Sequence, residues 1–152
     1  YLSFTDVLLI LLDTVLLSMF GTALSSIVNS FLTTQGQMSA VGTIVSAGYG
    51  FICGAYMPIS SFGTGLQKVL SFLPGTYGTA LFRNHALNGV YEEMARQGFP
   101  AEVVEAIRDS IDCNLYFFGE KVSIGAMYGV MGASVALLIG GYVLLNLRKK
   151  KN

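Results

Sequence analysis

The residues able to do chemistry are few, and one of them stands where a charge is costly. Asp13 sits in the run VLLILLDTVLLSMFGTALSSIVNSFL (7–32), which carries no other charged residue. An acid at such depth costs a few kcal/mol or more unless it is paired, hydrated or protonated. Three roles stay open for it: a partner on another helix or subunit, a polar cavity, or proton coupling. No cation lies in any of the long apolar runs, so the partner is expected from outside this chain or from a water-filled space. Asp6 shares the face of Asp13, seven residues away, and lies near the outer end of the run.

On a helix, Thr14, Ser18, Thr22, Ser25 and Asn29 fall on another side, within about a third of the circumference. Such a stripe faces a protein neighbour or water rather than lipid. It reads either as interhelical hydrogen bonding or as a substrate and water path. Catalytic chemistry finds no footing. There is no GxxxxGK[ST] loop to cradle phosphate, no HExxH and no nucleophile elbow. The single histidine, His85, beside Arg83, reads as an incidental residue of an outer loop. Cys53 and Cys113 have no metal-ligand spacing and no reason to pair. No catalytic residue and no metal site is assigned.

These side chains are positioned by a strongly apolar chain: 53% hydrophobic, 12% charged and rich in Gly, with 18. Mean hydropathy is +0.60, and a soluble domain carries about a quarter charged residues. The zero net charge gives no general attraction to nucleic acid. Three runs, 7–32, 38–57 and 122–147, approach the roughly 20 apolar residues that cross a bilayer. Arg148, Lys149, Lys150 and Lys151 follow the third, and such a cluster marks the cytoplasmic side. That orientation puts 33–37 inside as a short turn, 58–121 outside, and 148–152 inside as a basic tail. The chain begins at Tyr1 without an initiator Met or a basic leader, as a piece of a longer protein would.

Small residues pattern the runs. Gly50 and Gly54 form GxxxG in the second, and Gly125 and Gly129 in the third; both are candidate helix-packing faces. Outside, a short helix is expected from Asn88 as N-cap to Gly98 as stop, and a second after Pro100. Val103, Val104, Ile107 and Ile111 recur there at helical spacing, with the acids elsewhere. Seven acids (Glu92, Glu93, Glu102, Glu105, Asp109, Asp112, Glu120) face three cations over 84–121, a solvated cap or a cation-attracting mouth. CNLYFFGEK then stacks aromatics at headgroup level before the third run.

The stretch GAYMPISSFGTGLQKVLSFLPGTYGTALFR breaks twice, at Pro58 and Pro74, each of which interrupts a helix. It resembles the permease subunit of type-2 ATP-binding-cassette exporters. Gly54, Tyr56, Pro58 and Ile59 match the close of that family's fifth span; Leu73, Pro74, Tyr77 and Arg83 match the bend and arginine that follow. LSMFGTALSSIVNSF resembles its fourth span. The resemblance implies an all-α integral membrane protein and the C-terminal half of a permease. Its parts would be a first span over 1–32, a second over 38–57, a re-entrant outer hairpin over 58–87, a helical extracellular loop over 88–121 and a third span over 122–147. Pro58, Pro74, Tyr77 and Arg83 would form the outer gate. The partners implied are an ATPase subunit, which would hold the ATP and magnesium, a second permease copy or homologue, and lipid. The site would be the cytoplasmic membrane of a prokaryote, and the activity export by alternating access. The family's N-terminal half, which meets the ATPase, has no counterpart here. Two other readings stay open: a non-transporting sensor or assembly protein, and a proton-driven transporter using Asp13.

Overall fold

The computed structural model describes residues 2–149; Lys150 and Lys151 of the basic tail lie outside the described residues. Helix α1, Phe4–Asn29, starts at a capping box. Ser3 Oγ accepts from the Thr5 amide, and the Asp6 carboxylate reaches back to the Ser3 amide at 2.9 Å. After a short connection, Thr34 and Gln37 build a second capping box, so helix α2 begins at Gln35 and runs to Ile52. Its 18 residues make about 27 Å at 1.5 Å per residue. Two helices are long and apolar enough to cross a membrane: α1 and, over Ile124–Arg148, α6. The chain is thus mostly helical with two candidate membrane spans. Helix α2 starts in glutamines, stops before the 57 expected, and buries none of its residues.

The reason for the early stop is Gly54, whose φ of +84° ends the helix in the left-handed region. A 3-10 turn, Ile59–Ser61, follows with Pro58 at its N-cap. Helix α3, Thr64–Leu70, is two turns long. Helix α4, Pro74–Arg96, begins with proline in its first turn, where the missing N–H leaves no hydrogen bond unmade. It then runs without interruption through residue 88. The expected separate helix starting at Asn88 is therefore corrected: nothing between Pro74 and Gly98 breaks the backbone. Asn88 instead bonds sideways to Asp6 and Glu92. Gly98, φ +83°, is the stop.

Helix α5, Ala101–Ser110, follows Pro100. Strands β1, Tyr116–Phe117, and β2, Glu120–Lys121, pair antiparallel, Tyr116 opposite Lys121. Phe118 and Gly119 both take positive φ, as a two-residue type I′ turn requires. This hairpin is a small departure from an all-helical chain. Helix α6, Ile124–Lys149, closes the fold.

The core forms where α4 lies against both α1 and α6. Phe20, Tyr77, Ala80, Leu81, Leu115, Met127, Met131 and Val135 make one buried cluster. Gly78 meets Leu17 and Met131, Asp13 meets His85, and Asp6 meets Asn88. Rising numbers on α4 thus pair with falling numbers on α1, so the two are antiparallel. Asp13 meets Tyr128 and Ile27 meets Gly141, so α1 and α6 run parallel. The expected GxxxG packing faces are not used within this chain. Gly125 and Gly129 face open space, Gly50 is covered by the Tyr56 ring, and Gly54 serves the turn. The close approaches fall on α4 instead, at Gly78 against Leu17 and Met131 and at Gly75 against Tyr49 of α2.

Candidate functional site

The most buried acid of the chain sits on the face of α1 that meets α4 and α6. Asp13 is 1% exposed. Its Oδ2 lies 2.6 Å from His85 Nδ1, and its Oδ1 accepts a hydrogen bond from the Tyr128 hydroxyl at 2.7 Å. The His85 ring stacks on the Tyr128 ring at 6.2 Å between centroids and 23° between planes. Both carboxylate oxygens are engaged, as a buried carboxylate requires. The partner expected from outside the chain is therefore internal. His85 is not an incidental loop residue: α4 carries it down between the two apolar helices. Sequence reasoning missed Tyr128 as well, and its only signal was a polar tip near the start of an apolar run.

Asp6, 4% exposed, is the second sealed acid. Ser3 N donates to its Oδ2, and Asn88 Nδ2 donates to its Oδ1 at 3.1 Å. Two polar ties thus join α1 to α4, Asp13–His85 and Asp6–Asn88, seven residues apart on α1 and three on α4.

Arg83 faces the other way, into the loops. Its Nη1 donates to the Ile111 carbonyl at 3.2 Å and lies 3.5 Å from Asp112 Oδ2; its Nη2 donates to the Gly54 carbonyl. Asp112, at φ +57°, accepts from the Ser60 amide at 3.0 Å and from the Ile59 amide. One guanidinium and one carboxylate thereby fasten the end of α2, the 3-10 turn and the end of α5 to α4. Arg is suited to this because its planar fork serves several acceptors at once.

Alongside, Asn84 Nδ2 donates to the Ala80 carbonyl at 2.9 Å and to that of Cys113. Arg108 donates to Asn84 Oδ1 at 2.7 Å and lies over the Tyr91 ring at 4.9 Å. The Tyr91 hydroxyl is 3.2 Å from Cys113 Sγ. Burial pushes the Tyr91 hydroxyl and the Cys113 thiol up from their ordinary pKa values. Cys113 is consequently a sealed, protonated thiol, not a nucleophile.

Of the other expected gate residues, Pro58 and Pro74 begin the 3-10 turn and α4. Tyr77 is buried and donates to the Ser71 carbonyl at 2.5 Å, holding the α3–α4 turn closed. The polar stripe is divided. Thr14, Ser18 and Thr22 line a 460 Å³ groove with Ile139 and Tyr142 of α6. Ser25 and Asn29 line a 520 Å³ groove facing Ser46 and Tyr49 of α2. The hydrogen bonds of Thr14, Thr22 and Asn29 close within α1, to Ile10 O, Ser18 O and Ser25 Oγ. Helical hydroxyls satisfied in this way need no neighbour, so the stripe leaves its outer surface open to the grooves.

Among the described residues no group of His, Cys, Asp and Glu could hold a metal ion. Comparison with protein-family models, with curated proteins and with solved structures finds no match to this chain.

Proposed function

We propose that this chain is the C-terminal half of an exporter permease, forming part of the substrate path and its outer gate, with ATP hydrolysis supplied by a partner subunit. The observation that carries the reading is the broken segment after α2. Helix α2 stops at Gly54, the chain turns at Pro58, makes the two-turn α3, and resumes at Pro74 as a helix packed between α1 and α6. Non-helical backbone at membrane depth is tolerated where protein or a water-filled space covers it. Tyr77 and Arg83 supply part of that cover, bonding the Ser71 and Gly54 carbonyls, and Thr76 adds a second bond to the Leu70 carbonyl. A re-entrant hairpin over residues 58–87 with a membrane-spanning α2 is the corresponding arrangement, and the resemblance of the same residues to type-2 exporters supports it. The path would run along the open side of α1, where Thr14, Ser18, Thr22, Ser25 and Asn29 meet two grooves.

Single cysteines replacing Ser18, Ser25 and Asn29 in the complete protein are expected to react with aqueous thiol reagents, and ATP is expected to change their rates. Unreactive cysteines at all three positions would sink the path. A second reading, proton-driven transport, is favoured by one observation, the sealed Asp13–His85 pair. Transport in reconstituted vesicles separates the two: export that needs ATP and survives an uncoupler supports the first, and the reverse pattern supports the second.

A further inference from the structure

We propose that Asp13, His85 and Tyr128 form a proton-binding site whose proton count holds α4 between α1 and α6. The site is independent of which energy source drives transport. The Asp13 side chain is 0% exposed and that of His85 9%, so neither can rely on water to carry a net charge. One proton between them leaves the pair neutral overall, whether it rests on the carboxylate or on the ring, 2.6 Å apart. A second proton makes protonated Asp13 beside imidazolium, net positive. Removal of the one proton makes carboxylate beside neutral imidazole, net negative. Either leaves an uncompensated charge in an apolar interior, which is strongly unfavourable. The two protons belong to the pair rather than to either residue.

Among the described residues no other charge stands by to compensate. From α1, Asp6 is taken up by Ser3 and Asn88. From α4, Arg83 is turned to Asp112 and Glu92 is bonded to Asn88. From α5, Arg108 is turned to Asn84, with Glu105 at 3.9 Å. From α6, Tyr128 contributes a neutral hydroxyl donor to Asp13 Oδ1. α4 is held against α1 and α6 by this pair, by the Asp6–Asn88 bond and by the buried cluster around Gly78, and a charged pair weakens the first of these and favours displacement of α4 toward water. Since α4 carries Arg83 and the turn it fastens, that displacement would loosen the outer loops.

The test is hydrogen exchange of the α4 backbone over residues 77–85 in the complete protein, in bilayer discs, as a function of pH and corrected for intrinsic exchange. The natural protein is expected to give a bell: greatest protection at an intermediate pH, falling by about tenfold per pH unit on each limb, one proton per limb. Asp13→Asn leaves only His85 to charge, so its protection falls on the acid side alone. His85→Gln leaves only Asp13, so its protection falls on the alkaline side alone. The double variant Asp13→Asn with His85→Gln keeps hydrogen-bonding groups and no charge, and its profile is expected to be flat. A flat profile in the natural protein, or a bell that survives in the double variant, overturns the assignment. Because the natural protein must itself show the bell, failure of a variant to fold does not shield the proposal.

Discussion

At the scale of single residues, the informative contrast is between a polar group that is sealed and one that is self-satisfied. Asp13 needs partners, and the fold supplies them from positions 85 and 128. Thr14 and Thr22 need none, because each returns its hydroxyl to its own helix. Tyr128→Phe tests the first half of that contrast. It removes one hydrogen bond to Asp13 Oδ1 and nothing else, leaving a buried acceptor unpaired. Such a loss costs about 1 to 3 kcal/mol, read as lower stability in detergent unfolding, whereas Thr22→Val, which keeps the shape and removes only an intrahelical bond, is expected to change stability far less. Equal losses from both would mean that the Tyr128 hydroxyl does not matter to Asp13. The need of Asp13 for a partner was legible in the sequence; the identity of the partner was not. The contact spans 72 residues, and no local pattern marks His85 as facing inward. Arg83 likewise stood out only through resemblance, since its three acceptors are backbone carbonyls and an aspartate nearly thirty residues away.

At the scale of elements, local chemistry was easy to read and helix continuity was not. Gly98 and Pro100 bracket the loop where the sequence places them, and Pro74 opens a helix as proline at a first turn should. Asn88 has the chemistry of a good N-cap, yet a cap is needed only where a helix starts. Tertiary contact with Asp6 uses that side chain instead. The glycines show a related contrast. GxxxG spacing drew attention to Gly125 and Gly129, which face open space, while Gly78 is where a side chain would collide with Leu17 and Met131. Gly78→Val should therefore overpack the α1–α4–α6 contact and destabilise the fold by about 1 to 3 kcal/mol. Gly125→Ala, in an open helical position, should be neutral or stabilise by up to about 1 kcal/mol. Thermal unfolding of both variants in one detergent decides the matter: a tolerated Gly78→Val would mean that α4 does not wedge there.

At the scale of the whole molecule, the parallel course of α1 and α6 constrains how the chain can sit in a bilayer. Both are long and apolar enough to cross, and α4 is antiparallel to each. The start of α1, the end of α4 and the start of α6 therefore lie at one end, together with α5 and the β-hairpin. The opposite end holds Ser30 to Thr34 and the last turn of α6. Arg148 and Lys149 end α6 and Lys150 and Lys151 come next in the sequence; we propose that this cluster keeps its end on the cytoplasmic side. Cysteines placed at Ser3, Gly98 and Gly119 are thus expected to react with a membrane-impermeant maleimide added outside intact cells, and one at Thr34 only after the membrane is opened. Cys53 and Cys113 do not interfere, being buried at 5% and 1% exposure. Labelling of Thr34→Cys from outside together with Gly98→Cys would place both ends of α1 on one face. It would then be impossible for α1 to span, and with it would go the re-entrant reading of residues 58–87, because α4 would have no membrane-embedded helices to lie between.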